Sequence, residues 1–436
     1  MASTYLSKSS YGTPTSTKIF TWSCWFKIGQ SQGKGRIFDF YAPPFSYGNG
    51  IFFTTGGELG ISGGDPNNAR RITSRVFRDP NAWYHVVGVF DSPNATAEDR
   101  LRLYINGVRE TSFSASVDMN QNQDYQAFRS DVGGIGRYYD TSITSEFFDG
   151  EMAHIHFIDG TVYDADTFGE TDATTGIWKP KTAPSVTYGN NGFFLKFENS
   201  GAFGTDSSGN SNNFTVSGTM TQTIDTPSNV FATLNPLMGG LSSVTYSNGN
   251  TTATFAAPST WYFTPSTLAA SQGKWYAEVK VGAVGTETSI GIIPMETVSL
   301  QQGAASDYMG KESDSIGYVN NGQLYKTNSV QETTSTYTTG DIIGMAFDLD
   351  GNSIQFYKNG SSVGSAISLT SGLNYTVGVS GYNSSSSNVN FGNGYFGTTA
   401  VSSAQNPDDG IGIFEYAVPS GYKALCTKSI NAQEYD

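Results

Sequence analysis

Short stretches of alternating apolar and polar residues, cut by glycine, asparagine, aspartate and proline, run the length of the chain. In Leu101-Arg102-Leu103-Tyr104-Ile105 the residues Leu101, Leu103 and Ile105 share one side, and Arg102 and Tyr104 the other. The run stops at Asn106-Gly107, a dipeptide that accepts the left-handed conformations of a tight hairpin turn. Just upstream, the apolar stretch 83–91 reads as the partner strand. A second hairpin is predicted far downstream, with a strand at 342–348, a turn at Asp350-Gly351, and a return at 354–357 that stops at Asn359-Gly360. In both, an apolar strand ends in Val-Phe-Asp or Ala-Phe-Asp and the return strand ends in Tyr-x-Asn-Gly. The spacing is not that of a short-period repeat and predicts two domains that use the same hairpin. No segment carries a long helical period; 164–169 and 266–270 are expected to form single helical turns.

The boundary falls between the hairpins, where Asp225-Thr226-Pro227-Ser228-Asn229 and Asn235-Pro236-Leu237-Met238-Gly239-Gly240 have the proline and glycine content of a connection. The expected organisation is a first domain over 1–218, a linker over 219–244, a second domain over 245–397 and a C-terminal extension over 398–436. The apolar part of that extension, around Phe414 to Leu425, is expected to dock on a domain or to serve as an assembly contact.

Composition sharpens this picture. Charged residues are only 14% of 436, against about 25% in ordinary globular chains. Gly, Ser, Thr, Asn and aromatic residues take their place, which favours strands and turns over helices. The net charge of −14 would repel a phosphate backbone, so no nucleic-acid partner is expected. No stretch approaches the roughly 20 apolar residues of a membrane helix, and the N-terminus has no apolar signal core, so membrane insertion is not expected. The two cysteines, Cys24 and Cys426, do not make a disulfide framework, and Cys24 reads as a small core residue.

The first domain resembles the laminin-G-like branch of the concanavalin A-like superfamily, carried by segments 20–27, 83–91, 102–108 and 148–156. The second resembles a SPRY domain, through Gly273-Lys274-Trp275-Tyr276-Ala277-Glu278-Val279, Ser315-Ile316-Gly317-Tyr318, Gly340-Asp341-Ile342-Ile343-Gly344 and Ile354-Gln355-Phe356-Tyr357-Lys358-Asn359-Gly360. Both resemblances imply all-β folds: two tandem concanavalin A-like jelly-roll sandwiches with a short C-terminal extension. Segments 172–181, 188–197, 206–214, 225–229 and 414–427 resemble structural proteins of tailed bacteriophages, usually tail fibres, receptor-binding proteins or capsid-associated appendages.

Glycosidases of this superfamily carry Glu-x-Asp-x-Glu on a strand, where alternation puts the carboxylates on one face. Here Glu170-Thr171-Asp172 is followed by Thr174 in place of the second Glu, and Glu312-Ser313-Asp314 by Ile316. No Gly-x-Ser-x-Gly elbow appears, and the glycine pairs at 56–57 and 63–64 lack the helix and lysine of a phosphate loop. His154 and His156, at i and i+2 on one strand, could approach a metal but read as half-buried sheet residues; His85 lies elsewhere. The calcium candidates are Asp206 and Asn210 in Asp206-Ser207-Ser208-Gly209-Asn210, since laminin-G-like domains often bind calcium through loop oxygens; the competing reading is an Asx turn. Trp261-Tyr262-Phe263 and Arg137-Tyr138-Tyr139-Asp140 could stack on sugar rings.

The expectation is therefore a non-enzymatic phage virion appendage protein of tail-fibre or receptor-binding type. It would recognise a host surface glycan or a neighbouring virion protein, form a homo-oligomer, by analogy a trimer, and be made in the bacterial cytoplasm before joining the virion. No cofactor is expected beyond the calcium candidate. The alternatives are a capsid decoration or adaptor protein without a host ligand, a polysaccharide depolymerase, and a cellular lectin.

Overall fold

The computed structural model describes residues 4–29, 35–40, 49–63, 68–124, 133–138, 146–173, 175–238, 243–256, 259–298 and 307–434. Strand accounts for 48% and helix for 4%, so the architecture is β throughout. The chain divides into two compact units, Met1–Gln222 and Thr223–Asp436.

The first unit is a sandwich of two antiparallel sheets. One runs in the order Phe113–Val117, Arg70–Val76, Glu58–Gly63, Asn49–Phe53, Arg36–Phe40, Gly133–Ile135, Tyr5–Lys8 and Thr215–Ser217. The other runs Phe193–Leu195, Gly150–Asp159, Ile19–Ile28, Trp83–Asp91, Leu101–Ile105 and Val108–Arg109. Alternation along Ile19–Ile28 sends Phe20, Trp22, Cys24, Phe26 and Ile28 into the core between the sheets. There Trp22 stacks on Phe38 with centroids 3.5 Å apart. The opposite set, Thr21, Ser23 and Trp25, lies on the outer face and is buried as well. That face is roofed by a single 3-10 turn at Ala165–Thr167 and a ribbon of Gly169–Thr171 with Trp178–Pro180, which bring Ala165 and Phe168 onto Val87, Val89 and Ile158.

The second unit is a sandwich of the same kind. One sheet runs Val244–Ser247, Thr252–Phe255, Ser385–Asn390, Lys274–Ala283, Ile342–Asp348, Ser353–Lys358 and Ser361–Ser368. Lys423–Ala424 pairs in parallel with Trp275 and Tyr276, continuing the ladder where Ser385–Asn390 leaves it. The second sheet runs Trp261–Ala270, Tyr375–Tyr382, Glu287–Pro294, Ile316–Val319, Gln323–Lys326 and Ser329–Thr333. Trp275, Val279, Ile290, Met345, Phe356 and Val377 meet in its core. Residues 266–270, expected as a helical turn, instead complete a strand; its pairing shifts register between Pro265 and Ala269, an irregularity where a proline without an N–H is tolerated.

Two sequence boundaries need correction. Most of the predicted linker belongs to the second unit: Phe231 and Leu234 are fully buried there, and Ala232 donates its N–H to the Leu425 carbonyl at 3.0 Å. The C-terminal extension is part of the same unit. Phe414, Ala424 and Cys426 pack with Phe231, Tyr276 and Ala346 over the outer face of the first-named sheet. Of the apolar side chains expected as an assembly contact, Phe414, Ala424 and Leu425 are buried within this unit, while Tyr416, Val418 and Tyr422 stay half-buried.

The paired hairpins are built by the same device. Asn106-Gly107 and Asn359-Gly360 all have positive φ. In each, the asparagine Oδ1 accepts the N–H of a residue near the start of the preceding strand: His85 at 2.7 Å in one and Ile342 at 2.8 Å in the other. The turn at Asp350-Gly351 forms, but its left-handed residue is Asn352, while Gly351 donates its N–H to Asp348.

Candidate functional site

The structure places most of the side chains weighed as candidates for chemistry. In the first unit His85 faces the roofed outer side, fully buried. Its Nδ1 accepts the Trp178 indole N–H at 3.0 Å, so the ring proton sits on Nε2 and is donated to Ser23 Oγ at 2.8 Å. A hydrolytic base needs the opposite tautomer, with a free lone pair toward the serine. Burial lowers the His85 pKa to about 3, with the nearby His154 acting in the same direction. The pair is a structural hydrogen-bond chain. His156 stacks on Phe194 at 3.9 Å and bonds the Tyr188 hydroxyl through Nδ1 at 3.0 Å. His154 does not alternate simply with it: the strand bulges between Ala153 and His156, and His154 takes φ +47°. The imidazole centroids are 6.4 Å apart, and no group of three metal-ligating side chains occurs among the described residues.

The Asp206 loop is a self-bonded turn. Oδ1 accepts the N–H groups of Phe194 and Ser208, and Oδ2 accepts the Ser208 hydroxyl and the Asn212 N–H, all at 2.8–2.9 Å. Asn210 turns its amide onto the carbonyls of Gly189 and Gly192. Four donors already saturate the carboxylate, an arrangement that does not support calcium coordination by Asp206 and Asn210. Glu170 and Asp172 share Lys179, at 3.8 and 2.8 Å, on the exposed ribbon; Thr174 lies outside the described residues. Tyr138 is buried beneath the Arg36 guanidinium at 4.5 Å, and Arg137 covers Tyr5 at 4.3 Å, so neither Tyr138 nor Arg137 offers a sugar platform; Tyr139 and Asp140 lie outside the described residues.

The cluster at Trp261 is open. Of Trp261-Tyr262-Phe263, Tyr262 packs on the core, Phe263 is buried with Met309, and Trp261 remains half-exposed on the outer face of its sheet. Tyr382 lies directly across the strand pair from Trp261, with ring centroids 5.7 Å apart. Tyr308 stands 5.0 Å from Trp261 and 5.8 Å from Tyr325, giving a continuous ledge of four half-exposed aromatic rings.

Small residues in the sheet position Tyr308. Gly378, Gly291 and Gly317 are paired across three adjacent strands. Met309 lies over them: a Cβ on Gly378 would meet its side-chain methyl at 2.2 Å, and one on Gly317 its carbonyl oxygen at 2.0 Å. Ser380 and Ser289, also paired, hold the strap. Met309 N–H donates to Ser380 Oγ at 3.0 Å, and Ser289 Oγ donates to the Met309 carbonyl at 2.7 Å. Polar groups fringe the ledge: Asn328 accepts the Tyr308 hydroxyl, Gln323 accepts the Tyr325 hydroxyl, and Asn383 donates to Thr286. Aromatic faces beside hydrogen-bonding side chains are suited to sugar rings, which present apolar faces and peripheral hydroxyls. Sequence reading found Trp261 and missed Tyr308, Tyr325 and Tyr382, which come from three further segments.

Residues 2–167 match the family described as the concanavalin A-like lectin/glucanases superfamily, and residues 274–394 match the SPRY domain. No curated protein matches the chain. Among solved structures, the SPRY domain of human HERC1 is similar at 18% identity and TM-score 0.30, covering 36% of this chain and 96% of its own. A human SPRY domain is similar at 21% identity and TM-score 0.27, covering 34% and 94%. Stonustoxin is similar at 15% identity and TM-score 0.30, covering 36% of this chain and 27% of its own.

Proposed function

We propose that this chain, a concanavalin A-like sandwich followed by a SPRY sandwich, is a non-catalytic recognition protein of a phage virion that binds a host surface glycan. The observation that carries the glycan reading is the ledge of Trp261, Tyr308, Tyr325 and Tyr382, beside a strap whose Met309 backbone is anchored by the Ser289 and Ser380 hydroxyls. An aromatic surface fixed in advance loses little entropy on binding. The non-catalytic reading is supported by the His85 tautomer and by the lysine-paired Glu170 and Asp172. The virion setting is supported by the phage-like segments of the sequence, among them 172–181, 206–214 and 414–427.

Glycan-array binding of the full chain against bacterial envelope polysaccharides tests the reading. W261A and Y308A are expected to weaken any bound polysaccharide about ten-fold or more. Binding that both variants retain in full would overturn the ledge as the site. Release of oligosaccharide during the incubation would replace the non-catalytic reading with the depolymerase one. Immunolabelling of purified particles tests the virion setting, and light scattering tests the homotrimer.

A further inference from the structure

The ledge has a charged border at Glu287. Glu287 lies directly across the strand pair from Tyr382, which in turn faces Trp261 across the next pair. Residues directly opposite in an antiparallel ladder project from the same side, with Cβ atoms about 5 Å apart. The half-buried Glu287 carboxylate is thus in line with the Tyr382 and Trp261 rings, and its charge also reaches Tyr308. Other carboxylates of this unit are engaged. Lys311 pairs with Asp307 at 2.7 Å and Glu312 at 4.0 Å, Asn374 donates to Glu296 at 2.7 Å, Ser365 N–H donates to Glu332 at 2.8 Å, and Lys358 pairs with Asp341 at 3.3 Å. The Glu287 carboxylate has no hydrogen bond or ion pair among the described residues, although its backbone pairs with Tyr382. Nor does a lysine or arginine lie over the four ledge rings among those residues, although such stacking occurs elsewhere, as with Lys274 over Tyr422 and Lys280 over Phe396.

A carboxylate without a counter-charge attracts an arriving cation, and a charge-assisted hydrogen bond to it is stronger than a neutral one. The ring faces are also electron-rich and attract cations. The same features, with a chain charge of −14, repel uronate-rich polymers. We propose that Glu287 makes the ledge selective for glycans that carry a free, protonated amine on the sugar ring. This rests on the reading of the ledge as a glycan site. The amine would sit against the Glu287 carboxylate while the ring stacks on Trp261 or Tyr308.

The test is calorimetric titration of the full chain at pH 6 with a glucosamine hexamer and with its fully N-acetylated counterpart. The amine form is expected to bind about ten-fold tighter. E287Q is expected to bring the two together by weakening only the amine form, E287K to exclude the amine form, and W261A to weaken both. Thermal melts matching the parent chain establish that the variants are folded. Equal binding of the two hexamers to the parent chain, or a preference that E287Q leaves intact, overturns the role of Glu287 and leaves the glycan reading standing. Binding of neither hexamer, with other neutral glycans bound at the ledge, also overturns the amine preference alone. Absence of all glycan binding overturns both.

Discussion

The carboxylate of Glu278, on the central strand Lys274–Ala283, accepts the backbone N–H of Tyr416 at 2.9 Å; its other oxygen accepts the N–H of Glu415 at 2.8 Å. A buried acid on the sheet thereby fixes the C-terminal segment over the sheet's outer face. Tyr276 adds its hydroxyl at 3.2 Å.

Burial raises the Glu278 pKa to about 7, against the lowering effect of those donors. A carboxyl whose folded pKa exceeds its free value of 4.5 binds its proton more tightly when folded. Its contribution is full below pH 4.5 and is lost as pH rises through about 7. E278Q turns an amide N–H toward a backbone donor, and should cost about 1–3 kcal/mol at pH 5. The stability gap to the parent chain should narrow by pH 8, as measured by denaturant unfolding at the two pH values.

Phe414 is fully buried and meets Tyr276 edge-on at 5.0 Å. F414A leaves a cavity between the C-terminal segment and the sheet, and should cost about 3–5 kcal/mol. Limited proteolysis should then cleave within 398–426 before any strand of the sandwich.

The buried histidines give the first unit an acid-sensitive slope. Burial, reinforced by neighbouring positive charge, lowers His85 to about 3 and His156 well below its free value of 6.5. Lowered imidazole pKa values mean that the unfolded chain binds protons more readily, so this stability is full above pH 6.5 and declines as pH falls toward about 3. Asp39 in the same unit runs the other way: burial raises it to about 7 despite Arg36, so its contribution is full below 3.8 and lost as pH rises through about 7. D39N should therefore unmask a steeper loss of thermal midpoint between pH 7 and pH 5, and H156F should flatten it.

Gly317 is required by the Met309 strap. In G317A the new methyl would meet the Met309 carbonyl at 2.0 Å, against backbone that cannot swing aside. The strap must lift, at a cost of about 1–3 kcal/mol, and Tyr308 moves with it. Glycan binding should fall as in Y308A, and a crystal structure should show displaced electron density over 307–311. S289A removes only the bond to the Met309 carbonyl and should give a smaller loss.

Strands announce themselves through alternation, because side chains two apart share a face whatever the strand packs against. The Leu101–Ile105 hairpin and its counterpart ending at Asn359-Gly360 were legible for that reason, and their turns because asparagine and glycine tolerate positive φ. Alternation fails where both faces are covered. Thr21, Ser23 and Trp25 are as buried as their inward neighbours, so Ser23 could not be recognised as a partner of His85, 62 residues away. Proline and glycine marked 219–244 as a connection, yet backbone pairing to 425–427 draws its central part into the second unit.

What the sequence determined by itself was local: the β architecture, the twin hairpins and the acidic surface, each set by neighbours within a few residues. Only the tertiary structure decided which aromatics stand together. Trp261, Tyr308, Tyr325 and Tyr382 are drawn from four segments, and Tyr308 reaches the ledge because three glycines paired across adjacent strands leave room for Met309. That juxtaposition depends on strand register, which is fixed by backbone bonding between distant segments and leaves no periodic trace along the chain.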